Sequence, residues 1–390
     1  MLSPDKIIYL DNNATTQIDP AVVEEMLPFL SKYYGNPSAG YAFGSQVRDA
    51  IETARARVAS LVGCTPSEIV FTSCGTEANN TAINSALRFE PRGRHIVTTA
   101  VEHSATRRYC EQLEKRGAAV TFAPVDEAGQ LDLDAFERAI RPETALLTVM
   151  WANNETGVLF PIEQIAEIAR RHRVPLHVDA VQAAAKLPIR LADLPIHFCS
   201  LSAHKLHGPK GVGALYVNRR SAFAPTLVGG NQEEGRRSGT ENVASIVGFG
   251  KAAELAAQLM ESEQARVRAL RDRFESALLA AVPETQVNGD REIRLPNTSS
   301  LSFTGIEAEA ALILLDQAGV CCSAGSACHT GSLEASHVLR AMHFSDERIR
   351  GSIRFSFSRF NTDADVDRAL EIIRRVIAKL RAMSPRAAVG

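Results

Sequence analysis

The stretch "TALLTVMWANNETGVLFPIEQIAEIARRHRVPLHVDAV", residues 144–181, decides the fold. It opens with an apolar run, continues with a segment whose apolar residues recur at helical spacing, and closes with a second apolar run. A strand that is buried on both faces reads as a continuous apolar run, and parallel strands need a crossover connection between them. The stretch therefore predicts two parallel strands joined by an amphipathic helix.

The same alternation extends over about residues 45–250. Further apolar runs that predict strands are "EIVFTS" (68–73), "HIVTTA" (95–100), "HFCSLSA" (197–203) and "GVGALYVN" (211–218). Helical spacing follows the first two of them, in "EANNTAINSALR" and "ATRRYCEQLEKRG". The pattern predicts an α/β fold with a mostly parallel sheet covered by helices on both faces. Active residues in such sheets gather at the carboxyl ends of the strands.

The pattern changes near residue 250. The segment 251–282 predicts one long helix, whose apolar stripe is formed by Val267, Leu270, Phe274 and Leu278. Beyond it, "NTSSLSFTG" and "SIRFSFSRF" are strand-like, residues 307–318 are helical, and a last helix follows with apolar residues at helical spacing. This second segment predicts a smaller unit that mixes helices and strands.

Composition limits the partners and the location. The chain has 390 residues and a net charge of −2, so it offers no global polycation to a nucleic-acid backbone. Its N-terminus, "MLSPDKIIYLDNN", lacks a basic segment followed by a long apolar one, and no uncharged apolar stretch is long enough to span a bilayer. The seven cysteines are odd in number and mostly scattered, which is typical of reduced thiols. We expect a cytoplasmic protein that binds neither nucleic acid nor membrane.

Two residues at predicted strand ends suggest cofactor chemistry. Lys205, in "SLSAHKLHGPKG", lies between an apolar strand and a Gly/Pro turn, where its amine could form an imine with an aldehyde. The alternative is a lysine that caps a turn. Asp179, in "HVDAVQ", ends a buried strand, where a carboxylate is costly unless it is paired. Pyridoxal phosphate needs such an anion beside its ring nitrogen, and the alternative is an N-cap aspartate for a following helix.

Four further signals are modest singly. Gly75 and Thr76 follow a strand and open a helix, where backbone N–H groups favour a phosphate. His103 follows another strand and could stack on a conjugated ring, although a lone histidine is more often structural. Asn154 lies just past a third strand. Arg354 stands in an apolar run, where it would pair with a substrate carboxylate or with an acid of the chain itself.

The order of these residues resembles the cysteine desulfurases of the NifS/IscS type, within the class V aminotransferase superfamily. The likeness covers almost the whole chain, in the motifs "YLDNNATT", "GNPSA", "TSCGTEANN", "NNETGV", "HVDAVQ", "SAHKLHGPKG", "RRSGTEN", "GSACHTGSLEASHVLRAM" and "IRFSFSRF". It implies a dimeric pyridoxal-phosphate (PLP) enzyme of fold type I with the active site at the subunit interface. We expect a large cofactor-binding domain over residues 15–255. Residues 1–14 and 256–390 would form a smaller α+β C-terminal domain, which carries a mobile cysteine loop at about 321–333.

The resemblance also implies roles for single residues. Lys205 is similar to the lysine that joins the cofactor as an imine, and Asp179 to the partner of the pyridine nitrogen. Gln182 would bond the ring hydroxyl, and His103 would stack on the ring and move protons. Asn154, beside the cofactor, and Arg354 would fix the substrate carboxylate. The residues expected at the cofactor phosphate are Gly75, Thr76, Ser202, His204 and, from the other subunit, Thr240.

The stretch "VCCSAGSACHTGSLEASH", residues 320–337, raises three alternatives. Its cysteines and histidines offer no C-x-x-C pair and no two-plus-two spacing for structural zinc, so we expect no metal bound by the protein alone. A disulfide between Cys322 and Cys328 is disfavoured in a reduced compartment. Cys328 lies among Gly and Ser residues that allow mobility, and the resembling family places its catalytic cysteine there. Cys328 could also ligate a transferred iron–sulfur cluster. His329 stands where a small hydroxyl residue is expected, and we expect it to face water.

The activity implied by the resemblance is the conversion of L-cysteine to L-alanine. The sulfur would remain as a persulfide on Cys328 and pass to an iron–sulfur scaffold or another acceptor protein. A segment of n residues reaches at most about 3.3–3.6 Å × n, so ten residues could carry sulfur from a buried site to an outside acceptor. The alternatives are a selenocysteine lyase or another class V enzyme. A non-catalytic iron–sulfur scaffold would leave Lys205, Asp179 and Arg354 without purpose.

The subtype expectation rests on the C-terminal region and on two motifs. The chain ends soon after its last predicted helix, whereas housekeeping members of the family typically carry a longer tail. Together with "LDNNATT" and "TSCGTEANNTAI", this favours the nitrogen-fixation branch.

Overall fold

The computed structural model describes residues 7–89, 93–325 and 336–383. The predicted cysteine loop falls mostly on residues 326–335, so Cys328 and His329 lie outside the described residues.

The strands follow one another along the chain as β1 (Ile8–Tyr9), β2 (Ile69–Thr72), β3 (His95–Thr99), β4 (Ala119–Ala123), β5 (Thr144–Met150), β6 (Leu176–Asp179), β7 (Phe198–Ser202), β8 (Gly213–Val217), β9 (Thr285–Val287), β10 (Thr298–Phe303), β11 (Val320–Cys321) and β12 (Ser352–Ser356). The α-helices are α1 (Pro20–Met26), α2 (Pro28–Ser31), α3 (Ala42–Val62), α4 (Gly75–Phe89), α5 (Ser104–Glu114), α6 (Leu133–Arg138), α7 (Ile162–His172), α8 (Val243–Ala281), α9 (Ala308–Gln317), α10 (His337–Ala341), α11 (Asp346–Arg350) and α12 (Asp363–Met383).

A seven-stranded sheet forms the centre of the protein, with the strand order β2-β8-β7-β6-β5-β3-β4. Strand β8 is antiparallel to both of its neighbours, and the other pairs are parallel. The prediction of a mixed, mostly parallel sheet is confirmed. The sequence analysis missed β4, an edge strand whose side chains are mostly half-exposed and therefore lack the continuous apolar run of a buried strand.

Alternate residues of the sheet face two different hydrophobic cores. Ile69 and Phe71 of β2 belong to the core that also contains buried residues of α3, α7 and α8. Val70, between them, belongs to the core on the other face, with buried residues of α4 and α5. This alternation follows from the period of two along a strand, and it places helices over both faces of the sheet.

Helix α8 is 39 residues long and begins at Val243 rather than at the predicted residue 251. The side chain of Asn242 accepts a hydrogen bond from the backbone N–H of Ser245 and caps the helix there, a signal that the apolar pattern does not contain. By length and composition, one 18-residue window of α8 is apolar enough to cross a membrane, and 56% of that window is buried inside the fold. Its apolar character is that of a helix packed in a protein core.

A third core lies under the antiparallel sheet β12-β10-β9. The predicted stripe of α8 is buried in this core, where Phe274 contacts Phe355 and Phe357 edge-on. Strands β1 and β11 pair in parallel, so the N-terminal segment lies beside the residues that lead into the cysteine loop. Because α8 contributes to this third core and to the core that contains α3, it runs across the predicted boundary near residue 255, and the division into domains stays a prediction.

Replacing Gly250 by alanine is expected to destabilise the protein. In an exposed helix alanine is better than glycine by about 1 kcal/mol. A Cβ added at Gly250 would lie 2.5 Å from the Cα of Ala54 in α3, and overpacking of this kind costs about 1–3 kcal/mol. We expect a lower midpoint of urea unfolding for Gly250→Ala. Gly40→Ala is the control, because a Cβ there meets nothing within 4 Å. A midpoint at or above that of the wild type would contradict the close packing of α3 on α8.

Candidate active site

A cavity of about 210 Å³ lies at the carboxyl edge of the central sheet. Strands β2, β3, β5, β6 and β7 run in the same direction, so the segments that follow them meet at this edge. The predicted site residues that line the cavity are Gly75, Thr76, His103, Asn154, Asp179, Gln182, Ser202, His204, Lys205 and Arg354. Thr240 is exposed and does not line it, and its predicted place in another subunit's site stays a prediction.

Lys205 points into the fold rather than into bulk solvent. It ends the short 3₁₀ turn Ala203–Lys205 that follows β7. Its Nζ donates to the main-chain oxygens of Asn13, at 2.5 Å, and Ala14, at 2.8 Å. The amine is therefore held at the cavity by the N-terminal segment, and the role of a simple turn cap does not describe it.

Asp179 is buried at the end of β6 and both of its carboxylate oxygens are engaged. Oδ1 accepts from the backbone N–H of Val181 at 3.0 Å, and Oδ2 accepts from Asn79 Nδ2 at 2.6 Å. The segment after β6 is a series of turns rather than a helix, so the contact with Val181 caps a turn. These contacts orient the carboxylate toward the cavity that it lines.

A second acid, Glu102, is buried close to Asp179. Burial raises the pKa of Glu102 to about 8, and the charge of Asp179 adds to the rise. Its Oε1 accepts from Thr99 Oγ1 and from the backbone N–H of Met150, and its Oε2 has no hydrogen-bond partner among the described residues. Glu102 is thus mostly neutral at pH 7, which keeps a second negative charge away from Asp179.

Arg354 forms an ion pair with an acid of the chain and also lines the cavity, where a substrate carboxylate was predicted. Its Nη2 donates to Asp11 Oδ1 at 2.7 Å, an ion pair within the chain, and its Nη1 donates to the main-chain oxygen of Asn154 at 3.0 Å. The Nε has no hydrogen-bond partner among the described residues, although the side chain is buried and lines the cavity. One edge of the guanidinium thus remains for an anion.

Gln182 is oriented by Lys186, a half-buried lysine for which no role was predicted. Lys186 Nζ donates to the main-chain oxygen and to the Oε1 of Gln182, both at 3.0 Å. The Nε2 of Gln182 then donates to the main-chain oxygen of Asn13. Burial, followed by the charges of Lys205 and Arg354, lowers the pKa of Lys186 to about 7.

The two histidines of the cavity differ in their hydrogen-bond partners. His103 caps α5, where its Nδ1 accepts from the backbone N–H of Ala105 at 3.1 Å. The proton of the neutral ring is therefore on Nε2. His204 Nδ1 lies 3.1 Å from Thr15 Oγ1, and burial, together with the charge of Lys205, lowers the pKa of His204 to about 3. His204 is accordingly neutral at physiological pH.

Further side chains shape the site without having been singled out from the sequence. Asn13 and Asp11 belong to the motif "YLDNNATT", and Asn79 belongs to "TSCGTEANN". Both motifs carried the resemblance, but only Gly75 and Thr76 in the second were assigned a role. Lys186 lies four residues after Gln182 in a series of turns rather than in a helix, so no helical spacing in the sequence identified it.

Three residues that line the cavity each have a buried polar atom to which a ligand could bond. Asn79 Oδ1, Ser202 Oγ and Arg354 Nε have no hydrogen-bond partner within the described part of the chain, and all three residues line the cavity. Buried polar atoms are normally bonded, so a polar ligand with acceptor and donor groups fits here. In the described ranges, no group of three or more His, Cys, Asp or Glu side chains is arranged to hold a metal ion.

The low pKa of Lys186 predicts a pH-dependent stability. A lysine in the unfolded chain titrates near 10.4, so between about pH 7 and pH 10 the unfolded state binds a proton that the folded state does not. Stability should therefore rise with pH in this window, by about 1.4 kcal/mol per pH unit at most. Lys186→Met has no such proton. Urea unfolding at several pH values should show the wild type gaining stability relative to Lys186→Met. The exposed Lys115→Met is the control, and a pH-independent difference would mean that Lys186 is charged in the fold.

The comparisons with known proteins agree with this site. The family Aminotransferase class-V matches residues 8–369. A cysteine desulfurase of Nostoc sp. (strain PCC 7120 / SAG 25.82 / UTEX 2576) is 52% identical over 379 residues, which are 97% of this chain and 95% of that protein. The cysteine desulfurase NifS of Azotobacter vinelandii is 50% identical over 379 residues, 97% of this chain and 94% of that protein.

Among solved structures, a NifS-like protein has a TM-score of 0.90 at 37% identity, covering 96% of this chain and 100% of its own. The resemblance inferred from the motifs is confirmed, as are the predicted fold type and activity class. The chain belongs to the class V aminotransferase family and, within it, to the cysteine desulfurases.

Proposed function

We propose that the protein uses pyridoxal 5′-phosphate to convert L-cysteine to L-alanine and retains the sulfur as a persulfide on Cys328. The persulfide sulfur then passes to an acceptor protein of iron–sulfur cluster assembly. The observation that carries the proposal is the convergence of Lys205, Asp179 and Arg354 on one cavity. An amine, a paired carboxylate and a guanidinium are the groups that a PLP enzyme needs for an amino-acid substrate.

The side chains of the cavity fit the cofactor. The backbone N–H groups of Gly75 and Thr76, at the start of the 15-residue helix α4, and the hydroxyl of Ser202 would hold the phosphate. A side chain at position 75 would be crowded, because an added Cβ would lie 2.8 Å from Val181 Cγ2. Neutral His204 adds a hydrogen bond without a charge.

Asp179 and Gln182 would hold the ring. Asp179 is fixed by Asn79 and would keep a ring nitrogen protonated. Gln182, whose oxygen accepts from Lys186 and whose amide donates one N–H to Asn13, would offer its second N–H to the ring hydroxyl. When bound, the cofactor supplies an electron sink for the α-carbon of the amino acid.

Lys205 and His103 would move protons. The amine of Lys205 would hold the cofactor, and its Nζ would take up the proton that leaves the α-carbon of the substrate. The main-chain oxygens of Asn13 and Ala14 keep this amine at the cavity. His103 can hold or release a proton at Nε2, because its Nδ1 is engaged by the backbone of α5.

Cys328 would act as the nucleophile, although it lies outside the described residues. Its thiolate attacks the sulfur of the substrate cysteine, and a sulfur–sulfur bond forms as the bond between the substrate's sulfur and β-carbon breaks. The electron pair of the broken bond remains with the carbon skeleton, which takes up a proton and leaves as alanine. The motif "GSAC" and membership of the cysteine desulfurases support this assignment.

The quaternary structure and location are further parts of the proposal. We infer a homodimer in which Thr240 contributes to the other subunit's phosphate site. Exposed apolar side chains support a large interface: Leu27, Leu30, Tyr34 and Val228 are 54%, 65%, 77% and 82% exposed. A reduced, cytoplasmic compartment is supported by the described cysteines, all of which are free. The identity to a NifS protein supports a role in nitrogen fixation.

Replacing Arg354 by lysine tests the carboxylate site. Lysine keeps the charge but loses the fork that contacts Asp11 and Asn154, and a charge-assisted hydrogen bond contributes about 1.5–3 kcal/mol. We expect kcat/KM for cysteine to fall by about 10- to 150-fold, mainly through KM. Arg359→Lys, whose arginine pairs with Asp19 and Glu263 and does not line the cavity, is the control. An unchanged KM would remove Arg354 from the substrate site.

Replacing Cys328 by alanine tests the sulfur route. After incubation with L-cysteine, mass spectrometry of the wild type should show alanine and one added sulfur on the Cys328 peptide. Cys328→Ala should keep its yellow cofactor and form no persulfide. Undiminished sulfur transfer by Cys328→Ala would contradict the mechanism.

Two alternative activities have their own assays. A selenocysteine lyase would act on selenocysteine and not on cysteine, and a transaminase would convert alanine with a keto acid. Cysteine turnover without alanine release, or a bound cluster without cofactor absorbance, would contradict the proposal.

A further inference from the structure

Residues 326–335 are called the cysteine segment here. Gly325 and Ser336, the described residues on either side of it, both lie at the buried carboxylate of Glu155. Ser336 Oγ donates to Glu155 Oε2 at 2.6 Å. Gly325 approaches so closely that an added Cβ would lie 2.9 Å from the same oxygen and 3.4 Å from the Cβ of Ser336. The chain therefore leaves the described fold and returns to it at one point.

Glu155 is itself fixed by the scaffold. It follows Asn154 of the cavity, and its backbone N–H donates to Asn153 Oδ1 at 2.9 Å. Asn153 in turn donates to the main-chain oxygen of Val101. The residue is 2% exposed, and a buried carboxylate is costly without hydrogen-bond donors. The hydroxyl of Ser336 thus satisfies a group that the fold holds in place.

The N-terminal approach to the segment has a second anchor. Ser323 exchanges backbone hydrogen bonds with Arg354, at 2.6 and 3.2 Å, and its Oγ donates to Asp11 Oδ2 at 2.9 Å. Asp11 also pairs with Arg354, so it serves the substrate-binding arginine as well as the segment. Glu155 does not line the cavity, so its contacts concern the segment and not the ligands of the cavity.

We propose that Glu155 is a positioning residue for sulfur transfer, which holds both ends of the cysteine segment beside Asn154. The proposal rests on Cys328 being the persulfide carrier. Cys328 is the third residue after Gly325, and three residues span at most about 10–11 Å. The reach of the ten-residue segment stays a prediction, because residues 326–335 lie outside the described part of the chain.

Ser336→Ala is the first test variant, and it has a matched control. Ser336 also caps α10, where its Oγ accepts from the backbone N–H of Leu339. Ser345 caps α11, another five-residue helix, in the same way. Ser345→Ala loses a comparable cap without touching Glu155, so the difference between the two variants isolates the contact with the carboxylate.

The measurement is single-turnover persulfide formation on Cys328 after mixing the holoenzyme with L-cysteine. We expect Ser336→Ala to form persulfide about tenfold more slowly than the wild type and Ser345→Ala to match the wild type. The cofactor absorbance and the spectral change on cysteine binding should be unchanged in both. Ser336→Thr, which keeps the hydroxyl, should restore the rate.

A second variant covers the case that Ser336→Ala does not fold. Glu155→Gln keeps the size and one acceptor oxygen and loses the charge, so persulfide formation should slow in the same direction. Glu155→Gln combined with Ser336→Ala should be no slower than the slower of these two single variants, because both act on the same contact.

The outcomes separate this inference from the proposed function. A wild type without persulfide on Cys328 overturns the proposed function and this inference with it. If the wild type forms the persulfide and Ser336→Ala forms it equally fast, only the role of Glu155 is overturned. A slow Ser336→Ala with altered cofactor absorbance or a raised KM also overturns it, because the defect would then lie in the cavity.

Discussion

The common direction of the sheet's parallel strands is the constraint on which the site depends. Strands β2, β3, β5, β6 and β7 all end at one edge, and each carries its chemistry in the residues at or just after that end. No single segment contains the site. Residues up to 130 positions apart, from Gly75 after β2 to Lys205 after β7, become neighbours because hydrogen-bonded strands cannot shift independently, and Arg354 joins them from β12 of another sheet.

Contacts of the N-terminal segment also position residues of the site at the sheet edge. The main-chain oxygen of Asn13 accepts from both Lys205 and Gln182, and the side chain of Asn13 donates to the main-chain oxygen of Asn154 and to Thr298 Oγ1. These contacts join the central sheet to β10 of the third core. A main-chain carbonyl in this role depends on backbone position rather than on side-chain identity. The amine of Lys205 and the amide of Gln182 are therefore positioned by the backbone of the N-terminal segment.

The sequence predicted the parallel sheet and most of the cavity because both depend on local patterns. Apolar runs identify buried strands, and polar residues after strand ends identify the edge, as for His103 and Asp179. Asn79 contacts Asp179, a distant residue in the sequence, and Lys186 contacts the Gln182 amide in one particular orientation. A periodic sequence pattern predicts neither contact. The same holds for the pairing of Arg354 with Asp11, where sequence left two alternatives and the structure uses the arginine for an internal ion pair and leaves its Nε open. The early start of α8 depends on a single capping side chain.

The closeness of Gly325 to Glu155 also bears on which sulfur acceptors the enzyme can serve. In the proposed mechanism the carrier Cys328 is the third residue after Gly325, so an acceptor would have to bring its own thiol within about 10–11 Å of that glycine, plus the length of the cysteine side chain. Acceptors with a cysteine on a projecting loop, and small diffusible thiols, meet this requirement. A protein whose cysteine lies at the bottom of a groove does not.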